Sequence, residues 1–179
     1  MESTLVERVQ RDNDHLAFEQ LMRKNQSPIR QFLRRLTVQN QAIADELAQE
    51  TFLKAFVNIK TYRGEGKFLS WLFKIAYQQF VSSTRKKVEQ SNTELTDQAD
   101  DGKFEHRLVA EKTAKDLLKY LKPDERAILL LHFSHDLSHQ DIATILQIPL
   151  GSVKTLIRRS RLKLQSFAQE NKSENTNEK

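Results

Sequence analysis

The stretch from residue 126 to residue 165 constrains the fold of this chain more than any other. It begins with the apolar run Ala127–Leu131, and a shorter apolar-periodic segment follows Ser138. Ser138, with Asp141 three positions on, is typical of a capped helix start, because the first side chain can accept a hydrogen bond from a backbone N–H. The pattern therefore predicts two helices in succession, the second of them short.

A turn and a basic helix complete this pattern. Pro149 cannot continue the preceding helix, and we expect Gly151 to relax the backbone so that the chain turns and restarts near Leu150. Between Leu150 and Gln165 there are five basic residues and no acidic one. A basic helix by itself is commonly a solvated amphipathic helix. Because a capped helix and a turn directly precede it, the whole stretch is typical of a helix-turn-helix, which indicates DNA binding.

The composition narrows the class of protein further. A net charge of +5 over 179 residues is compatible with a polyanionic partner. The chain has no cysteine, which excludes disulfides and thiolate metal sites. Neither a signal peptide nor an apolar run of membrane-spanning length is found, so we expect a cytoplasmic protein without membrane contact of its own.

The spacing of apolar residues predicts an all-α fold of two small helical domains joined by a flexible acidic linker. Glycine and proline are scarce, at four and three residues, and apolar positions recur at helical spacing. Six acidic residues and one basic residue fall between 88 and 105. We therefore place a first domain at 1–87, the linker at 88–112, the helix-turn-helix domain at 113–169 and a disordered tail at 170–179.

The first domain is predicted to contain helices near 17–36, with a break at Pro28, near 41–59 and near 67–85. In the second of these helices one stripe should face inward: Leu47, Ala48, Thr51, Ala55 and Ile59. A different face carries Glu46, Gln49, Glu50 and Leu53, which is either plain surface or a docking face. In the third helix, Phe68, Leu72, Ile75 and Ala76 should pack, while Trp71, Lys74 and Gln78 form an outward row.

No catalytic or cofactor chemistry is predicted. His132, His135 and His139 lie close in sequence, but they straddle the predicted break between two helices and no cysteine assists them, so we expect no metal site. The chain has no phosphate-binding loop and no nucleophile elbow. We expect a protein that binds and does not catalyse.

Two sets of motifs, in order along residues 4–168, resemble those of bacterial RNA polymerase sigma factors of the extracytoplasmic-function (ECF) group. The first set comprises Ala17–Leu21, Ala44–Phe56, Tyr62–Glu65 and Phe68–Ala76. The second set comprises Leu121–Arg126, Leu129–Leu131 and Ile148–Lys154. The resemblance implies a factor that binds core RNA polymerase and directs it to promoters by recognising and melting DNA.

The resemblance also implies roles for particular residues. The docking residues for the clamp coiled coil of the largest catalytic polymerase subunit are Glu46, Gln49, Glu50, Phe52 and Leu53. The residues that read and open the minus-ten promoter element are Lys60, Tyr62, Arg63, Trp71 and Lys74. The residues that read the minus-thirty-five element are Lys154, Thr155, Arg158 and Arg159. The linker resembles the segment that is threaded toward the polymerase active site.

The chain departs from the family pattern in the third helix. Members commonly have Arg-Asn after the Ile-Ala pair and Asp four residues beyond, whereas this chain has Tyr77, Gln78 and Ser82. The details of minus-ten recognition are therefore open. An anti-sigma factor is a further implied partner. The alternative interpretation is a stand-alone helix-turn-helix regulator whose N-terminal domain senses a ligand or dimerises.

Overall fold

The computed structural model describes residues 2–38, 40–91 and 117–176, which form seven α-helices. These are α1 (Glu2–Asp12), α2 (His15–Leu36), α3 (Gln41–Asn58), α4 (Phe68–Ser91), α5 (Pro123–Leu129), α6 (His139–Leu146) and α7 (Leu150–Thr176). Short 3-10 turns cover Ile59–Thr61 and Leu118–Tyr120, and a π-helical turn, Leu130–Ser134, continues α5. The described ranges contain no strand, and the all-α prediction is confirmed.

The first domain packs α2, α3 and α4 around a common apolar core. The side chains that were predicted to face inward from α3 and α4 are all buried: Leu47, Ala48, Thr51, Ala55, Ile59, Phe68, Leu72, Ile75 and Ala76. Phe32 of α2 and Phe73 of α4 are fully buried, and their ring centroids lie 5.2 Å apart in an edge-to-face arrangement. The helical period of the sequence therefore identified the core-facing side of both helices.

Two features of this domain differ from expectation. The N-terminal helix α1 was not predicted, although its Val6 and Val9 are buried. Helix α2 runs unbroken through Pro28, where the sequence predicted a break. A proline inside a helix costs about 3 kcal/mol. Ile29, Phe32 and Leu33, which follow it, are fully buried, and burial contributes about 1.5–3 kcal/mol per side chain, so packing outweighs the proline.

The second domain contains the predicted helix-turn-helix in α6 and α7. The Ser138 hydroxyl accepts a hydrogen bond from the Asp141 N–H at 3.1 Å, as the capping pattern predicted. The turn after α6 is made by Gln147, which lies in the left-handed region at a φ of 56°. Gly151 lies in the first turn of α7, after the chain has already turned, so its expected role in the turn was wrong.

The two domains are in direct contact. Helix α6 packs against α4, and α2 lies against α5 and the π-helical turn. His135, which follows that turn, has its ring centroid 4.5 Å from the ring of Phe73 and 6.2 Å from that of Phe32. The apolar cores of both domains therefore meet at one interface, which the sequence pattern did not reveal.

The described helices extend past the boundaries that the composition suggested. Helix α4 reaches Ser91, inside the stretch assigned to the linker, and residues 92–112 of the linker lie outside the described residues. Helix α7 reaches Thr176, inside the expected disordered tail. The sequence from 169 to 174 is rich in glutamine, glutamate and lysine, which are good helix formers, and it has no proline or glycine. Among the described helices none is long and apolar enough to cross a membrane.

The left-handed turn residue provides a test of this fold. We expect Gln147→Gly to raise the free energy of unfolding by about 0.5–1 kcal/mol, because glycine adopts a positive φ without steric cost. The matched control Gln165→Gly places the same change in an exposed position within α7, where it should lower stability by a similar amount. Urea unfolding curves of both variants give the two signs. Destabilisation by both changes would contradict the turn geometry.

Candidate nucleic-acid and protein interfaces

The acidic row on α3 is exposed as the docking interpretation requires. Glu46, Gln49, Glu50 and Leu53 all lie on the solvent side of the helix, and Leu53 is 65% exposed despite being apolar. Phe52, which the resemblance placed in the same set, is buried instead, because it lies on the side of α3 that faces the core. The structure thus brings four of the five predicted docking residues to one surface.

A groove between α2 and α3 lies next to this row. It has a volume of about 440 Å³, and its apolar lining comes from Phe18, Met22, Phe52, Leu53 and Phe56. The rings of Phe18 and Phe56 meet edge to face, with centroids 5.0 Å apart. An apolar groove beside an exposed leucine is typical of a protein docking site. Phe52 therefore contributes to this surface as a groove wall.

The sequence analysis missed the contribution of α2 to this groove. Phe18 and Met22 are spaced four residues apart on α2 and are half-buried, so the helical period alone assigned them to the core. Val57, one turn after Leu53 on α3, is 70% exposed and extends the apolar surface. An aliphatic residue at that spacing was a readable signal, since exposed valines are unusual next to an exposed leucine.

The loop between α3 and α4 is held in place by hydrogen bonds. The Gln10 side-chain amide of α1 donates to the carbonyl oxygens of Ile59 and Tyr62, both at 2.8 Å. The Tyr62 hydroxyl donates to the Gly66 carbonyl oxygen at 2.8 Å. Gly66 has a φ of 81°, which an L side chain rarely adopts. Helix α1, which the sequence analysis did not predict, therefore positions the loop that carries Lys60, Tyr62 and Arg63.

Three aromatic rings form a cluster at the base of this loop. The ring centroids of Tyr62, Phe68 and Trp71 lie 5.3 to 5.6 Å from one another. Phe68 is buried, whereas Tyr62 and Trp71 are half-buried. Two predicted minus-ten residues therefore support each other and keep part of their surface accessible. Such partly exposed rings can stack on an unpaired base.

A polar cavity of about 350 Å³ lies beside this aromatic cluster, between the end of α3 and α4. Its lining brings Trp71 and Lys74 together with Lys54, Asn58 and Gln78. Lys60 and Arg63 are exposed but do not line it. The two lysines and the amides give the cavity hydrogen-bond donors and positive charge. Lys54 and Asn58 were missed, although their four-residue spacing on α3 places them on one face.

The basic helix α7 divides into a packed side and an exposed side. Val153 and Ser160 are fully buried and Ile157 nearly so, and these hold the helix against its own domain. The four predicted minus-thirty-five residues are all exposed: Lys154, Thr155, Arg158 and Arg159. The helix-turn-helix therefore presents its predicted reading side to solvent, and a recognition helix needs this to enter a DNA groove.

A buried carboxylate on α5 anchors α7. Glu125 is 4% exposed and accepts hydrogen bonds from the Lys122 N–H at 2.9 Å and from Lys163 Nζ at 3.0 Å. Arg159 Nε lies 3.9 Å from the same carboxylate. Burial by itself raises the pKa of Glu125, but these donors outweigh it and hold the pKa below its ordinary value. Lys163 therefore stabilises the domain, and its charge is not available in full to DNA.

The three clustered histidines do not come together as ligands. The rings of His132 and His139 lie 5.3 Å apart, whereas His135 points toward Phe32 and Phe73. Burial, followed by the charge of Arg35, lowers the pKa of His135. Within residues 2–38, 40–91 and 117–176 no group of three histidines, cysteines or carboxylates is placed to hold a metal ion.

Comparison with known families identifies the two domains. Residues 21–89 match Sigma-70 region 2, and residues 113–164 match Sigma-70, region 4. These two regions, in this order, define a class of transcription initiation factors. The chain belongs to the sigma-70 family of RNA polymerase sigma factors, within its ECF group.

Individual proteins agree with this assignment. The RNA polymerase sigma-H factor of Pseudomonas aeruginosa is 33% identical over 177 residues, which covers 88% of this chain and 88% of that protein. The ECF RNA polymerase sigma factor SigW of Bacillus subtilis is 35% identical over 133 residues, covering 66% and 71% of the two chains. The sigma factor RpoE of Bartonella quintana, solved in complex with the anti-sigma factor NepR, shares the fold. Its TM-score is 0.69 at 24% identity, over 85% of this chain and 96% of that one.

The buried carboxylate generates a pH-dependent prediction. We expect Lys163→Met to lower the free energy of unfolding by about 1–2 kcal/mol at pH 7, because Glu125 loses a charged donor. A carboxylate with a lowered folded pKa stabilises above its unfolded pKa, near 4.5, and loses that contribution as pH falls through the folded pKa. The deficit of the variant should therefore shrink below about pH 4.5.

Thermal unfolding between pH 3 and pH 8 measures this deficit. The matched control is Lys154→Met, which removes an exposed lysine from the same helix and should change stability by less than about 0.5 kcal/mol. A deficit for Lys163→Met that stays constant down to pH 3 would show that Glu125 is not its partner.

Proposed function

We propose that this protein is a sigma factor that binds core RNA polymerase through the α3 row and reads two promoter elements with its two domains. The first domain recognises and melts the minus-ten element, and α7 reads the minus-thirty-five element. The protein acts in the cytoplasm and contributes no catalysis of its own, since the polymerase supplies the chemistry. One observation favours this over a stand-alone regulator: the exposed row of α3 with its adjoining apolar groove, which a regulator has no need to expose.

The minus-ten assignment is supported by the aromatic cluster and the polar cavity beside it. Melted DNA exposes unpaired bases, and a protein captures them by stacking on aromatic rings and by contact with cations. Tyr62 and Trp71 supply accessible aromatic surface, and Lys74 and Lys54 supply charge next to Trp71. Lys60 and Arg63, exposed on the loop, are suited to the phosphate backbone. Gln78 is the amide that this chain offers where the family commonly has asparagine.

Regulation by an anti-sigma factor is part of the same proposal. The Bartonella quintana relative in fold was solved with an anti-sigma factor bound. The exposed surface of α3 is the most direct target for such a partner here, because covering Glu50 and Leu53 would block docking on the polymerase. Binding of an anti-sigma factor and of core polymerase should then be mutually exclusive.

The docking row is tested by a double substitution. We expect Glu50→Lys with Leu53→Ala to weaken binding to core polymerase, in the absence of DNA, by at least about 2 kcal/mol, because both residues lie at the centre of the exposed row. Co-purification and a titration with labelled protein measure the loss, and circular dichroism checks that helicity is kept. Glu7→Lys, at an exposed position on α1, is the matched charge control. Wild-type affinity in the folded double variant would refute the docking assignment.

The recognition helix is tested at two exposed arginines. Arg158 lies near the start of α7 on its exposed side, so Arg158→Ala should cost about 1–3 kcal/mol on the preferred minus-thirty-five sequence and little on others. Arg161→Ala, three residues further along, should weaken all sequences alike and reduce the salt dependence by about one charge. Holoenzyme binding to single-base promoter variants at several salt concentrations separates the two outcomes. An equal loss on every variant would assign Arg158 to the phosphates.

A further inference from the structure

The interface between the two domains is built from apolar and polar contacts together. Phe73 and Phe32 of the first domain receive His135 of the second, with ring centroids 4.5 and 6.2 Å away. Helix α6 lies along α4 over the same area. Fully buried aromatic rings that meet a neighbouring domain exclude water from the contact. The two domains therefore adhere through their cores.

Three hydrogen-bonded pairs surround this apolar contact. The Tyr77 hydroxyl donates to the Asp124 carboxylate at 3.1 Å. Arg35 Nη1 donates to the Ser134 hydroxyl at 2.9 Å. Arg126 Nη1 donates to the Leu36 carbonyl oxygen. Each pair joins α2 or α4 to α5 or the π-helical turn, so the interface is fixed in orientation as well as in position.

Tyr77 is one of the residues at which this chain departs from its family. Arginine is common at that position, and a charged side chain there could reach DNA. In this structure the residue is 9% exposed and its hydroxyl is used between the domains. Burial, and then the nearby Asp124 carboxylate, raise the pKa of the phenol, so it remains protonated and can donate. The departure that the sequence left unexplained is thus an interdomain contact.

The closed arrangement conflicts with the geometry of a promoter. The centres of the minus-ten and minus-thirty-five elements are about 25 base pairs apart, or roughly 85 Å at 3.4 Å per base pair. A compact chain of 179 residues has a radius of gyration of about 16 Å, and hence a diameter of roughly 40 Å. With the domains in contact, α7 and the minus-ten loop cannot occupy both elements. The interface must therefore open before both are bound.

We propose that the contacts of Tyr77, Arg35, Arg126 and His135 form an intramolecular latch that holds the free protein closed and is released when core polymerase binds. This inference rests on the proposed function of the two domains. The latch occupies α2, α4, α5 and the π-helical turn, whereas Gln49, Glu50 and Leu53 on α3 are exposed outside it. Polymerase can therefore dock on the closed form first.

The latch can open without unfolding either domain. Arg126 keeps two hydrogen bonds inside its own domain, from Nε to the Leu118 carbonyl at 2.9 Å and from Nη2 to the Leu121 carbonyl at 3.0 Å. Only the bond to Leu36 is lost on opening. Tyr77, Asp124 and Ser134 all gain access to water in the open form, which offsets part of the loss. Opening therefore needs less energy than unfolding.

Cross-linking tests whether opening is required. The chain has no cysteine, so Arg35→Cys with Ser134→Cys provides two unique thiols across the interface. A bismaleimide with a disulfide in its spacer joins them, and a reductant later cleaves the spacer. We expect the cross-linked protein to bind core polymerase within about twofold of the uncross-linked protein. Its run-off transcription on fragments of the source genome should fall at least tenfold and return on cleavage.

The outcomes of this experiment separate the latch from the proposed function. Undiminished transcription by the cross-linked protein overturns the latch. If neither the wild-type protein nor the cleaved protein supports transcription, the proposed function fails, and the latch is then judged by distance measurement alone. Circular dichroism of the cysteine variant before cross-linking verifies that it folds.

A distance measurement tests the role of Tyr77 directly. Donor and acceptor dyes on Lys24→Cys and Gln165→Cys, both exposed positions, report the separation of the domains. Core polymerase should lower the transfer efficiency. Tyr77→Phe removes only the hydroxyl, and should lower the polymerase concentration at which half of the molecules are open by about two- to tenfold.

The matched control is Tyr62→Phe, which removes a hydroxyl bonded at 2.8 Å to Gly66, far from the interface. It should leave the half-opening concentration unchanged. The proposal is overturned if Tyr77→Phe has no more effect than this control, or if polymerase does not change the transfer efficiency of the wild-type protein.

Discussion

The edge-to-face contact of Phe32 with Phe73 holds the rest of the structure in place. The two rings are fully buried and join α2 to α4, the helices between which α3 is positioned with its acidic row outward. The same rings form the seat of His135, so the first-domain core also determines where the second domain rests. The docking surface, the minus-ten cluster and the interdomain interface all depend on this one aromatic pair.

The sequence predicted those features that depend on neighbouring residues. The period of Leu47, Ala48 and Thr51 identified the buried side of α3, and with it the exposed side, because a helix of regular geometry fixes both at once. The Ser138 cap was readable because a capping side chain bonds a backbone group three residues away. The exposure of Arg158 followed from the same periodicity.

The features that the sequence did not reveal depend on residues far apart in the chain. Gln10 bonds carbonyl groups about fifty residues away, and nothing near Gln10 indicates this. Lys163 belongs to the basic side of α7 by composition, yet its amine is bonded to Glu125 of α5. Tyr77 was recognised as unusual, but its contact with Asp124 required the domains to be placed together. Net charge on a helix is therefore a poor count of the cations that a nucleic acid can use.

The π-helical turn at Leu130–Ser134 has a consequence for how this interface could arise in evolution. A π-helical turn holds one residue more than an α-helical turn, and one residue rotates the following side chains by about 100° around the axis. Ser134 and His135, at its end, are turned toward the first domain. A single-residue insertion or deletion in a lineage could therefore create or remove the adhesion between domains while leaving both helical cores intact.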